Sequence, residues 1–213
     1  MTPKSMPLPD PLTRHPIPGW KGTAFLKAIV DHPLIEVGDY SYYDDSRGPE
    51  HFVARCVRYH FDFIGDRLII GRFVAIAQAA QFVMNGANHP MDGFSTYPFQ
   101  MFGIEGAPDV TAHAHRGDTV IGNDVWIGRE AVIMPGVSIG DGAIIGTRAQ
   151  VVKDVPPYAV VVGNPGRVVK LRFPEETIAA LLAIRWWDWD AGKIARNVQA
   201  IAGADIDALR AAV

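Results

Sequence analysis

The chain has 213 residues, a length that suits one large domain or a domain with an appendage. Apolar residues make up 48 % and charged residues 20 %, an ordinary globular balance, and no apolar run is long enough to span a membrane. A formal net charge of −3 gives no whole-molecule attraction to nucleic acid, and the one cysteine, Cys56, excludes an internal disulfide and fits a reducing compartment.

Residues 1–32 hold many prolines and lack the apolar core of a signal peptide, so an N-terminal arm and a cytoplasmic location are expected. The stretch PLIEVGDYSYY at 33–43 is expected to open the first structural coil, with Val37 and Gly38 on its beat. DDSRGPEH at 44–51 then reads as a polar insertion. Cys56 is expected as a small buried apolar side chain.

A six-residue beat follows. Its first run is Ile64, Ile70, Ile76 and Phe82; its second is Ile121, Ile127, Ile133, Ile139, Ile145 and Val151. Gly follows most beats (Gly65, Gly71, Gly122, Gly128, Gly140, Gly146), and a small residue or Val usually stands four positions on. This is the pattern of a parallel β-helix in which three hexapeptides close one triangular coil, giving a repeat of 18 residues. The beat side chain points inward, and the Gly after it is expected to relax the backbone at the turn. Met134 and Val152 replace that Gly 18 positions apart, which puts them on one face. The repeat resembles that of the hexapeptide-repeat acyltransferases, and the resemblance implies a left-handed helix.

The expected β-helix spans residues 33–170, with an excursion over about 84–118. A loop this long is usually functional or disordered, and this one is rich in aromatics and Met. It carries His89, whose imidazole is suited to proton transfer near neutral pH, although a lone loop His is most often solvated or packed. Residues 171–213 are expected to form a helical cap: Pro174, Glu175 and Glu176 open one helix, and a second lies near 192–201. Trp186, Trp187 and Trp189 read as packing residues before they read as a binding face. Arg148, Lys153, Arg167, Lys170 and Arg172 gather positive charge late in the chain.

The block NGANHPMDGFSTYPF, with SYYDD before it and GNDVWIG, KDVPPYAVVVGNPGR and IRWWDWD after it, resembles the xenobiotic acetyltransferases. These are the chloramphenicol and streptogramin (virginiamycin) branch of the hexapeptide family. The resemblance implies acetyl-CoA-dependent O-acetylation of a small hydroxyl acceptor by a homotrimer with sites between subunits, without a metal. It implies His89 as general base, and Trp126, Gly128, Gly146, Ala149, Lys153, Gly163, Asn164, Pro165 and Arg167 along the acetyl-CoA groove. It also implies Tyr42, Tyr43 and Tyr59 on the acceptor side, where packing is an equal reading. Asp92 or Asn88 are candidates to orient the imidazole. Three other readings stay open: a hexapeptide acetyltransferase for a sugar or other endogenous hydroxyl, a zinc site like that of the γ-type carbonic anhydrases using His113 and His115 with a third His from a neighbour, and a non-catalytic β-helix scaffold.

Overall fold

The structure is a computed structural model that describes residues 8–109 and 115–212. Three parallel sheets wind around one apolar column. One contains β2 (Ile35–Val37), β5 (Leu68–Ile70), β8 (Thr119–Ile121) and β11 (Ser138–Ile139). A second has the order β1 (Thr23–Phe25), β3 (Tyr42–Asp44), β6 (Ala75–Ile76), β9 (Trp126–Ile127), β12 (Ile144–Ile145), β14 (Ala159–Val162) and β15 (Arg167–Leu171). The third contains β4 (Val57–Arg58), β7 (Gln81–Val83), β10 (Val132–Ile133) and β13 (Gln150–Val151). The outer pairs of the second sheet, β1 with β3 and β14 with β15, are antiparallel.

The beat residues stack in register. Val37, Ile70, Ile121 and Ile139 form one column. Tyr43, Ile76, Ile127, Ile145 and Val161 form the second, and Val57, Phe82, Ile133 and Val151 the third. All except Val37 are buried. Each such burial is worth about 1.5–3 kcal/mol, which a single coil could not collect alone. Counting in sixes places Ile64 in the third column, but Val57 takes that place. Ile64 sits half-buried in the turn after β4, where Tyr59 and Gly65 both have positive φ.

Of the post-beat glycines, Gly65 has the positive φ its turn position suggests, but the next four are small for another reason. Gly71, Gly122, Gly128 and Gly140 are not among the positive-φ residues. A Cβ on any of them would lie 2.5–2.8 Å from atoms of the adjoining coil: Gly122 for Gly71, Asp141 for Gly122, Thr147 for Gly128 and Pro157 for Gly140. They are small because stacked coils approach closely there. The left-handed position comes three residues after the beat, at Phe73, Ala79, Asp124, Glu130, Gly142 and Arg148. Met134 and Val152 follow Ile133 and Val151, which pair, so they share a face as their spacing indicates.

The insertion after β3 is less polar than it reads. A 3₁₀ turn (Pro49–His51) runs into α1 (Phe52–Cys56), and Phe52 and Cys56 enter the core. Asp45 is fully buried and receives bonds from Tyr43 Oη (2.9 Å), Arg47 Nε (3.0 Å) and Nη2 (2.9 Å), and Gln78 Nε2 (3.0 Å). That network clips the insertion to the coil.

At the other end, α2 (Glu175–Ile184) starts after Pro174 with two acids in its first turn and ends at left-handed Arg185. Trp186 packs on Phe73 at 4.8 Å, and Trp187 is fully buried. The helix expected near 192–201 is divided at Asn197 into α3 (Ala191–Arg196), capped by Asp190, and α4 (Val198–Ala202). A further helix, α5 (Ile206–Arg210), is capped by Asp205. Among the described residues no helix is long and apolar enough to cross a membrane.

Candidate active site

The repeat step is 18 residues within the second run, as in the bond from Asn123 N to Asp141 Oδ1. Across the excursion it is 51, as in Arg72 N to Asn123 Oδ1. The extra chain leaves the helix after β7 and returns at β8, and one buried side chain joins both ends. Asn85, in the 3₁₀ turn Asn85–Ala87, donates from Nδ2 to Asp66 Oδ2 (2.8 Å) and to the carbonyl of Gly117 (2.9 Å). Its Oδ1 accepts from Arg116 N (2.7 Å) and from Asn88 Nδ2 (3.2 Å). Its backbone N–H also donates to Asp66 Oδ2 (2.8 Å). Both residues are fully buried.

His89 follows directly and is exposed. Its Nδ1 lies 2.9 Å from the carbonyl oxygen of Thr96, within the same loop. A carbonyl only accepts, so Nδ1 carries a proton, and in the neutral imidazole Nε2 is the nitrogen with the free lone pair. The orienting group is therefore a backbone carbonyl, which no side-chain pattern marks. Asn88 instead bonds to Asn85, and Asp92 lines a cavity of about 370 Å³ with Pro90, Phe94, Thr96, Tyr97 and Pro108. Tyr97 stacks on Phe102 at 5.2 Å and meets Phe99 at 4.8 Å, an aromatic cluster that is exposed in the single chain.

On the second sheet, Tyr42, Ala75 and Trp126 are register neighbours on one outward face. Trp126 is 55 % exposed and Tyr42 37 %. Small Ala75 between them leaves a hollow of about 510 Å³, walled on the far side by Pro16 and Ile17 of the arm. Two residues read as acceptor-side and cofactor-side thus share one surface. The arm was not expected there, and nothing in its composition marks it.

Tyr59 is exposed, with its carbonyl against Gly86 at the root of the loop. Beside it the exposed rings of Phe61 and Phe63 stack at 5.4 Å. Tyr43 does not belong with these. It is fully buried, its hydroxyl donates to Asp45, and burial first and Cys56 second push its phenol far above the usual range. Its place is the core, because alternate residues of a strand face opposite sides and Tyr42 took the outer one.

The positions expected along an acetyl-CoA groove are spread over the last coils. Gly128 and Gly146 are 18 residues apart, each directly after one of the paired strands β9 and β12, and Ala149 is fully buried. Gly163, Asn164 and Pro165 form an exposed turn with a cis Asn164–Pro165 bond, followed by exposed Arg167. Lys153 and Lys170 are exposed as well. Arg148 is engaged with Glu130 (2.6 Å). Arg172 bonds the carbonyl of Gly142 (2.6 Å) and stacks on Tyr158 and Phe173, so it is a structural cation.

His113 lies outside the described residues, and the Nδ1 of His115 accepts from Gly117 N (3.0 Å). Among the described residues no group of three or more His, Cys, Asp or Glu is placed to hold a metal. Cys56 is fully buried, and burial raises its thiol to about 11, so it offers no thiolate at neutral pH.

Comparison with known proteins places this geometry. The family described as "Bacterial transferase hexapeptide (six repeats)" matches residues 118–153. A probable macrolide acetyltransferase of Lysinibacillus sphaericus is 49 % identical over 159 residues, covering 73 % of this chain and 88 % of its own. A chloramphenicol acetyltransferase of Agrobacterium fabrum is 44 % identical over 186 residues, 84 % of this chain and 88 % of its own. A virginiamycin A acetyltransferase of Staphylococcus aureus is 47 % identical over 205 residues, 95 % of this chain and 92 % of its own. With that identity over most of both chains, and with the hexapeptide coils in register, this chain belongs to the xenobiotic acetyltransferases of the left-handed β-helix, hexapeptide-repeat class.

Proposed function

We propose that this protein transfers acetyl from acetyl-CoA to a hydroxyl of an antibiotic-class acceptor such as chloramphenicol or streptogramin A, with His89 as general base. The observation that carries the reading is the bond from His89 Nδ1 to the Thr96 carbonyl, which in the neutral ring makes Nε2 the accepting nitrogen of an exposed side chain. The names of the three relatives supply the acceptor class.

A hydroxyl is a weak nucleophile at neutral pH. Nε2 of His89 takes its proton as the oxygen attacks the thioester carbon, and returns that proton to the departing CoA thiolate. Base assistance of this kind is typically worth about 10²–10⁴-fold. Holding both substrates in one ternary complex adds an orientational gain. Transfer is direct, since buried Cys56 presents no nucleophile.

Trp126 and Tyr42 are assigned to the walls of the reaction site. Lys153 and Arg167, with the turn of Gly163, Asn164 and Pro165, are assigned to the phosphate-bearing arm of acetyl-CoA. Gly128, Gly146 and Ala149 contribute backbone to that groove, and Tyr59 lines the acceptor side. The enzyme is assigned as a cytoplasmic homotrimer in which the excursion loop of one subunit meets the coil face of the next. Met91, Phe94, Met101 and Phe102 on that loop are all more than 60 % exposed in the single chain, as an intersubunit contact requires.

The test is an acceptor screen with acetyl-CoA and chloramphenicol, streptogramin A or simple glycosides, read by release of free thiol. Turnover on either antibiotic, lost in His89→Ala, is the expected result. Turnover on glycosides alone would replace this reading with the sugar acetyltransferase one.

A further inference from the structure

We infer that Asn85, held by the buried carboxylate of Asp66, is the positioning residue for His89: it fixes the register of the excursion loop and so the imidazole tautomer the reaction needs. The inference rests on His89 being the base, and it adds two residues outside the reacting groups.

An amide side chain has two donor hydrogens and two acceptor lone pairs. In Asn85 all four are used, and they reach four separate points. Nδ2 joins Asp66, on the turn before β5, to Gly117, where the loop returns. Oδ1 joins Arg116, also on the returning side, to Asn88, the residue before His89. The outgoing strand, the incoming strand, the coil beneath and the base-bearing turn are thus tied through one side chain.

Asp66 makes the tie exacting. It is fully buried, and among the described residues both donors that reach its Oδ2 come from Asn85, one from the backbone and one from the side chain, while its Oδ1 has no hydrogen-bond partner. A buried carboxylate with so few partners depends strongly on those it has. No aliphatic side chain at 85 can supply them. Asp at 85 would set two carboxylates against each other where the amide now donates at 2.8 Å. The nearby charged or titratable groups are His60, whose Nε2 bonds the Asp66 carbonyl (2.7 Å), and Arg67 and Arg116, which follow in the chain.

The link to chemistry runs through the bond to Thr96. His89 Nδ1 finds that carbonyl only if residues 88 and 89 leave the turn in the observed direction. A loop that returns in a different register loses this bond, and the imidazole is then free to carry its proton on Nε2, where it is useless as a base. His89 would still be present and exposed.

The experiment compares the full-length protein with Asn85→Asp and with the exchanged pair Asp66→Asn/Asn85→Asp, which restores one donor and one carboxylate between the two positions. The first readout needs no acceptor: ¹⁵N–¹H correlation of the His89 ring at pH 8, assigned with His89→Gln. Wild type is expected to show the Nδ1–H tautomer, Asn85→Asp to lose it, and the exchanged pair to recover it at least in part. The second readout is steady-state transfer from acetyl-CoA to chloramphenicol. There kcat is expected to fall at least tenfold in Asn85→Asp while the KM for acetyl-CoA stays within about twofold. A circular dichroism melt on each variant separates a misplaced loop from an unfolded coil. The inference is overturned if folded Asn85→Asp keeps the Nδ1–H tautomer, or if kcat and KM change together and the exchanged pair rescues neither. Absence of transfer in wild type would instead count against the proposed function, and the tautomer readout would still decide this point.

Discussion

The carbonyl of Thr96 lies 2.9 Å from His89 Nδ1, and this one contact fixes which ring nitrogen is available as a base. Replacing His89 by Ala removes the base and leaves the coil untouched, because the side chain is exposed. The expected result is a folded protein that still binds acetyl-CoA and loses about 10²–10⁴ in kcat. Stopped-flow thiol release and calorimetric titration of acetyl-CoA check the two halves. Near-normal turnover would remove His89 from the mechanism.

Trp126 faces outward beside Ala75 and Tyr42, away from the core. Trp126→Ala is therefore expected to shift the melting temperature little and to reduce kcat/KM about tenfold, roughly 1.4 kcal/mol of transition-state binding. A large fall in melting temperature of the assembled protein with unchanged kcat/KM would show that the ring serves subunit packing instead.

Asp45 links pH to stability. Burial alone would raise its carboxyl, but the side-chain and backbone bonds from Arg47, with those from Tyr43 and Gln78, outweigh that and hold it well below the ordinary carboxylate range. Its folded value is thus lower than its unfolded one. The stabilisation is complete above the unfolded value of about 4 and is lost as pH falls below it. Urea melts in acid should show stability dropping through that window. Asp45→Asn should be weaker than wild type at pH 7, by about 1–3 kcal/mol, and should drop less on acidification. Equal slopes in the two proteins would contradict this account.

Gly122 tests the stacking of coils. A methyl group there would sit 2.7 Å from Asp141 Oδ1, 2.8 Å from Asp141 N and 2.9 Å from the Ile139 carbonyl. Gly122→Ala should cost about 1–3 kcal/mol by overpacking, although its φ suits any residue. Gly→Ala at a site with compatible φ and open space is usually stabilising. A neutral or stabilising Gly122→Ala would therefore mean that the coils are less tightly stacked than described.

Cys56 should be a bystander. It is fully buried, and burial raises its thiol to about 11. Cys56→Ala should retain turnover, and alkylating reagents should spare the folded enzyme at pH 7.5. Rapid inactivation by iodoacetamide with loss of a single thiol would revive a covalent route.

Much of the column was legible from the chain because its physics is local and periodic. Ile70, Ile76, Phe82 and the six beats from Ile121 to Val151 are buried and in register, and counting alone finds them. The same counting misplaced Ile64, since a turn with two positive-φ residues shifted the third column to Val57. It also gave the wrong cause for Gly71, Gly122, Gly128 and Gly140. A single coil shows a turn beside each Gly, and only the stacked coils show a neighbour too close for a Cβ.

Residue types and spacing by themselves determined the β-helix, the excursion and its histidine. The apolar beat has one inward solution, and a 33-residue interruption of it must leave the column. Tertiary structure decided everything that depends on two distant segments meeting. It sent Tyr43 inward and Tyr42 outward, set Ile17 of the arm across from Trp126, and buried Asp45 among its donors. It also supplied a backbone carbonyl at residue 96 and an amide at residue 85 to hold His89. Main-chain acceptors are alike at every residue, so their use is visible only once the chain has folded around them.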